Sequence, residues 1–390
     1  MAYVAVKGGK HAIQEAEQLL NFYRLMGGAV PIEVRQIREQ MRLAVDKVMG
    51  EGSLYDPDLS ALALKQAEGD AIEASFLIRA FRSTLPRNHY SLPVDSTKME
   101  IIRRISASFK DIPGGQFLGP TRDYTKRMLN FDLIEESEKN AQDFVATHLI
   151  ADRVDDRPLD TRAVPTFSKI VDLLRKEGLV ENRASSRSRE ELANLSNESL
   201  PPIDDITRES IVFPASRSMR LQTLARGETG AMMALAYSSN RGYGHIHPTL
   251  GELRVGYVTV RVPHPLNEGE SIAIGKVMVT EADILARMDE TAEQKEPKFS
   301  IGYGLCFGHN EIKAISMGTL DRTMEADNPQ APAEDDEFVL YHIDGIEASG
   351  FVSHWKLPHY VDFQAELNRV RSIQNRDQLE ADESGGTTNE

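Results

Sequence analysis

Cysteine is almost absent: Cys306 is the single one in 390 residues. An internal disulfide is therefore excluded, and so is a self-contained iron-sulfur cluster, which needs several thiolates. Positive charge is also short, with 45 Lys and Arg against 60 Asp and Glu and a formal net charge of -15. A general nucleic-acid or anionic-membrane binder needs a basic face, so any phosphate site here must be a local island of arginine. No apolar run is long enough to span a bilayer, and the opening stretch MAYVAVKGGKHAIQEAEQ turns polar too soon for a signal sequence. These absences point to a cytoplasmic protein. What is present, 41% hydrophobic residues, suffices for two or three domains with real cores.

Periodicity divides the chain into a helical N-terminal region over 1–95, a mixed α/β segment over 96–181, and a polar linker or insert over 182–205. A C-terminal α+β region follows over 206–375, with a disordered acidic tail over 376–390. Ile13, Ala16, Leu19, Leu20 and Tyr23 mark one amphipathic face, and Ile37, Met41, Ala44, Val45 and Val48 mark a second; both read as core. Asp56 before Pro57 starts a helix, and Gly69 with Asp70 stops it and caps the next. Met99 to Phe109 alternates like a half-exposed strand, with Arg103 interleaved on the apolar phase and Arg104 on the other. Thr166 to Gly178 reads as a helix. Glu252–Val262 and Ser271–Val279 read as a hairpin, Thr280 with Asp283 as a capping box for a short helix, and Glu337–Ile343 as a strand. The fold class expected is α+β.

Four stretches carry possible chemistry. GGQFLGPT from Gly114 imitates a Walker A loop with proline where the phosphate-binding lysine belongs, so it reads as a Gly-rich turn. Between Ser216 and Gly244, Arg217, Arg220 and Arg241 lie near glycines. They are either solvated on an amphipathic helix or clamp phosphate oxygens. Gly302, Gly304 and Gly308 before a helix hint weakly at a phosphate on the helix N-terminus.

The fourth is GFVSHWKLPHYVDFQAEL from Gly350. Residues five apart diverge by about 140° on a helix, and Pro358 disfavours one, so His354 and His359 could share a metal only through a loop that doubles back. Asp362 would cap the closing helix. The alternative is that both imidazoles hydrogen-bond to the backbone of a turn. Zinc takes three or four protein ligands, and neither His342 nor Cys306 completes a set, so further ligands would come from elsewhere, another chain included. A stand-alone metal hydrolase is disfavoured by those missing ligands.

The wording of several stretches is more specific than their composition. DIPGGQFLGPTRDYTKRML from Asp111, FPASRSMRLQTLARGETG from Phe213, AYSSNRGYGHIHPTLGELRVGYV from Ala236, GYGLCFG from Gly302 and FVSHWKLPHYVDFQAEL from Phe351 together resemble the I subunit family of the bacterial carbon-phosphorus lyase core complex. The resemblance implies a subunit that works beside partners called G, H and J, and beside ATP-binding-cassette-type subunits. It implies cleavage of the N-glycosidic bond of ATP or GTP. With the partners, an alkylphosphonate such as methylphosphonate displaces adenine from MgATP to give ribose 1-methylphosphonate 5-triphosphate. It also implies zinc on His354 and His359 at the contact with the J subunit. Displacing a base needs an anion near the sugar, a proton for the base and cations for the phosphates. Arg217, Arg220, Arg241 and His247 are the candidates for substrate binding, and Asp123 and Tyr124 for catalysis. The competing reading is a scaffold subunit that mainly supplies zinc ligands.

Overall fold

The computed structural model describes residues 9–28, 30–148, 166–180, 204–241, 248–267, 269–287, 298–326 and 328–385. It is α+β, as the patterning requires. The expected linker falls almost entirely outside the described residues, and His247 lies outside them as well.

The chain forms two compact units, one of residues 1–32 with 345–390 and the other of residues 33–344. The expected boundary at 95 is thus not a boundary of compactness. Chain proximity misleads here because a unit is closed by whatever buries its apolar faces.

In the larger unit four helices come first: α2 (Val34–Gln40), α3 (Arg42–Gly52), α4 (Pro57–Gln66) and α5 (Ala71–Arg82). Asp56 caps α4 through a bond from Leu59 N (2.9 Å), and Asp70 caps α5 through bonds from Ile72 N (2.9 Å) and Glu73 N (3.2 Å). Ile37, Val45, Val48, Ala61, Leu64, Ala74 and Ile78 form their common core. The stripe is broken at Met41, which leaves helical geometry and is exposed.

The sheet is a four-stranded antiparallel meander in sequence order: β1 (Glu100–Ile105), β2 (Thr249–Pro263), β3 (Ser271–Arg287) and β4 (Phe299–Phe307). The β2–β3 hairpin forms, but β3 does not stop at Thr280. Its hydroxyl donates to Gly308 O (2.6 Å) instead of capping a helix, and Glu281 and Asp283 stay in the ladder. One face is covered by α8 (Arg217–Arg226), α9 (Thr229–Arg241), α10 (Glu311–Thr323) and α11 (Asp336–His342), with Leu224, Met232, Leu253, Ala282, Cys306, Met317, Leu320 and Val339 between them. The expected strand Glu337–Ile343 is α11. Asp335 caps it through Phe338 N (2.9 Å), and a short apolar run alone does not separate the two periods.

The other face is divided. The helix α7 (Ile170–Lys176) packs Ile170, Val171 and Leu174 on Leu285 and Ile301. Met99, Val258 and Val279 form a second apolar patch, and the charges described below lie on the same face. Beyond β1, α6 (Glu138–His148) completes the described helices of this unit.

The smaller unit contains α1 (Lys10–Leu25), α12 (Gly345–His354) and α13 (Tyr360–Gly385). The α1 stripe is not core: no residue of α1 is buried, and Leu19, Leu20 and Tyr23 are exposed. The expected disordered tail is helical as far as Gly385. Asp362 sits in the first turn of α13, two residues inside it.

Candidate functional site

The histidine turn is built as a helix end followed by a helix start. His354 closes α12, Leu357 N bonds back to His354 O (2.9 Å), and Pro358 forces the chain out before α13 begins. The turn brings the imidazoles together, with ring centroids 5.2 Å apart and planes at 65°. His354 Nδ1 donates to Phe351 O, and His359 Nδ1 donates to Leu357 O (2.6 Å). A carbonyl only accepts, so each Nδ1 carries the proton and each Nε2 keeps its lone pair, the tautomer a metal ligand needs. Both sequence alternatives are thus satisfied at once. Two imidazoles do not fill a zinc sphere, and among the described residues no group of three His, Cys, Asp or Glu side chains converges to hold an ion.

Arg217 and Arg220 come together on one turn of α8, facing Asp321 of α10 and Glu325 just past its end. Arg217 makes two bonds to Asp321 (2.8 and 3.3 Å), and Arg220 Nη2 meets Glu325 (3.5 Å). Much of their charge is spent inside the fold. Arg241, at the end of α9, is exposed and stacks on Tyr237 (5.7 Å).

The GYG phrase before α10 does not hold phosphate. Gly302 and Gly304 lie within β4 and let it touch α10: a Cβ on Gly304 would stand 2.0 Å from Ala314 O, and one on Gly302 1.7 Å from Gly318 O. The amides of the following turn are spent too. Gly308 N bonds Met278 O (2.8 Å), His309 N bonds Asp46 Oδ2 (3.0 Å) and Asn310 N bonds Thr280 Oγ1 (2.9 Å). With Asp46 and Glu311 at this helix start, an anion is repelled.

Asp123 is not free on its turn, because it pairs with Arg103 from β1. Tyr124 beside it is 71% exposed. Arg103 is fully buried, and its Nε lies 2.8 Å from Glu311 Oε1, an ion pair without an aligned hydrogen bond. Glu311 Oε1 also meets His309 Nε2 (2.6 Å), and His309 Nδ1 meets Arg42 Nη1 (3.2 Å). Arg103, His309 and Glu311 escaped the sequence reading. The available signals were a charged residue on the apolar phase of a strand and the His-x-Glu spacing after GYGLCFG.

A second charged layer lies under α7. Glu281 is held by Arg254 (Nε, 3.0 Å), Lys169, Ser96 (2.8 Å) and Tyr303 (2.8 Å), and Arg104 bonds Glu252 (2.6 Å). Burial opposes the Glu281 charge, but Lys169 and Arg254 overcome it and hold its carboxyl well below the usual range. Burial pushes Asp283 up to about 6, with Glu281 and Glu252 adding to it against Lys169 and Arg254. These groups are sealed and matched in charge, which makes the layer structural.

The family model described as bacterial phosphonate metabolism protein (PhnI) matches residues 2–377. The chain belongs to that family. It is 44% identical over 389 residues to the alpha-D-ribose 1-methylphosphonate 5-triphosphate synthase subunit PhnI of Rhizobium meliloti (strain 1021), covering 98% of this chain and 97% of that one. It is 44% identical over 378 residues to the subunit of the same name from Escherichia coli (strain K12), covering 95% and 98%. The matched residues include each of the stretches discussed above, the histidine turn among them.

Proposed function

We propose that this PhnI-family chain is the subunit of a carbon-phosphorus lyase complex that breaks the N-glycosidic bond of ATP, so that methylphosphonate displaces adenine and alpha-D-ribose 1-methylphosphonate 5-triphosphate forms. The observation that carries this reading is the end-to-end similarity to two subunits named for that synthase. Without phosphonate, water takes its place and ATP or GTP yields base and ribose 5-triphosphate. Its partners are the G, H and J subunits and the ATP-binding-cassette-type subunits, and it works in the cytoplasm. The bare apolar faces support an assembly: Leu19, Leu20 and Phe22 on α1, Phe351 on α12, Trp355 in the turn after it and Phe363 on α13 are all exposed in the single chain.

Arg220, whose Nε is buried without a hydrogen-bond partner, exposed Arg241, and Arg217 and His247 beside them in sequence are the phosphate-binding candidates. His354 and His359 supply two imidazole Nε2 atoms to zinc. The donor set fits a site completed by the J subunit, where zinc would supply a Lewis acid or a structural clamp. Chromatography of a MgATP reaction tests the reading. Adenine and ribose 5-triphosphate are expected with the chain, and the methylphosphonate product when the partners are added. No adenine release in either case would leave the scaffold role.

A further inference from the structure

The constellation around Arg103 is a preorganised charged cluster that solvent reaches. It draws on four separate places: β1 gives Arg103, the first residue of α10 and the turn before it give Glu311 and His309, the first half of α3 gives Arg42 and Asp46, and the loop after β1 gives Asp123. Arg103 is 0% exposed, whereas the side chains of Glu311 and Asp123 are 20% and 44% exposed.

Hydrogen-bond logic fixes the protonation of the histidine. Arg42 can only donate, so His309 Nδ1 accepts and the ring proton sits on Nε2, where it is donated to Glu311 Oε1. His309 is therefore neutral and Glu311 is a carboxylate. Its Oε1 faces both His309 Nε2 and Arg103 Nε, which leaves Oε2 without either donor. Asp123 meets Arg103 through Oδ2 alone. Two cations, Arg42 and Arg103, thus face three anions, Asp46, Asp123 and Glu311, with two of the anions on one guanidinium. The cluster is short of one positive charge. That surplus suits a ligand that turns cationic, and it disfavours a phosphate.

Resting on the nucleosidase reading, we propose that Glu311, with Asp123 beside it across Arg103, is the fixed anionic face that stabilises the ribosyl cation formed as the base departs. Glu311 is the catalytic residue, and His309 and Arg103 are positioning residues that hold Oε1 and turn Oε2 outward. The C1′–N9 bond breaks with its electron pair going to the purine, which takes up a proton, the one the alkylphosphonate monoanion gives up to solvent as it attacks. An oxygen of the alkylphosphonate supplies the pair for the new C1′–O bond. When water attacks instead, its surplus proton balances the one the purine took. A carboxylate in this role acts only as positive charge develops, so it lowers the barrier without tightening ATP.

The test uses the assembled complex and compares wild type with Glu311→Gln, Asp123→Asn, His309→Gln and His309→Ala. Glu311→Gln is expected to lower kcat for adenine release by about 10²- to 10³-fold, with KM for ATP within about threefold. It is also expected to abolish preferential binding of a cationic iminoribitol nucleoside. Asp123→Asn should give a smaller loss of both. His309→Gln, which keeps a side-chain N–H toward Glu311, should keep most of the kcat that His309→Ala loses. The groups facing Glu311 are Arg103, Asp123 and His309, and those facing His309 are Arg42, Asp46 and Glu311. Thermal unfolding of each variant separates misfolding from loss of charge. If Glu311→Gln proves unstable, Glu311→Asp, which keeps the charge and withdraws it by one methylene, should show the same kcat-against-KM split at lower amplitude. Wild-type adenine release with an unaltered kcat in folded Glu311→Gln would overturn the inference alone. Absence of adenine release from wild type would overturn the function it rests on.

Discussion

A carboxyl taken out of water keeps its proton unless cations or N–H donors outweigh the loss of solvation, and the two neighbouring acids of β3 fall on opposite sides of that balance. Glu281 has Arg254 and Lys169 against it and is depressed. Asp283, two residues along on the same face, is pushed up to about 6 by burial first and by its acidic neighbours second. A folded value above the unfolded one means that Asp283 favours folding fully below the unfolded value, near 3.8, and that this benefit is lost as pH rises through about 6. Asp283→Asn, an isostere of the protonated acid, should remove that loss. Relative to wild type it is expected to gain on the order of 1 kcal/mol between pH 4 and 7, followed by thermal unfolding at both pH values. A constant offset at the two pH values would refute the assignment. Such charges are visible in sequence only as interruptions of a strand's polarity. Arg103 broke the apolar phase of its strand and marked the proposed site, whereas Arg104 sat on the polar phase and Glu281 and Asp283 lay beyond the strand read at Ser271–Val279, so the buried ionic layer stayed hidden.

Close approach decides what an element does with its glycines. Gly302 and Gly304 resemble a phosphate-binding phrase in sequence, yet they occupy β4 where α10 lies against the sheet, and their missing side chains are what allow that contact. Gly304→Ala would put a Cβ against Ala314 O, at a cost of about 1–3 kcal/mol or more in denaturant unfolding. Gly350→Ala in α12, where nothing lies within 4 Å of the added Cβ, should be neutral or stabilising by up to about 1 kcal/mol. Equal effects of the two substitutions would remove close packing as the reason for the motif. The same scale shows which local signals are reliable. Asp56-Pro57 and Gly69-Asp70 mark helix ends because the cap and the stop act within one turn. Thr280 and Asp283 mimic a cap but serve the sheet, because a hydroxyl bonds whichever backbone group the tertiary fold brings to it.

For the whole molecule, the smaller unit joins the two ends of the chain, with α1 from one and α12 and α13 from the other. Among its described residues, the apolar positions of α1 are exposed, so helical periodicity was read correctly and its burial was not. A stripe calls for a partner without saying whether the partner is in the same chain. The histidine turn raises the same question for a metal. Two Nε2 lone pairs and no third ligand among the described residues predict weak zinc retention by the isolated chain and stoichiometric zinc in the complex, measured by elemental analysis after dialysis against a chelator. His354→Ala should abolish the retained metal, and equal tight occupancy in both preparations would refute a shared site. No helix among the described residues is long and apolar enough to cross a membrane. The sequence by itself determined the α+β class, the helix starts set by local caps, the exclusion of cysteine-based chemistry and the membership of a family, because composition, one-turn hydrogen bonding and motif wording act over short distances. Only the tertiary structure decided that β3 runs on as a strand, that Arg217 and Arg220 are met by acids at the end of α10 and just past it, and that Glu311 and Asp123 meet the same guanidinium. Those outcomes depend on which distant residues the packed chain brings within a few ångströms, and no local pattern specifies that.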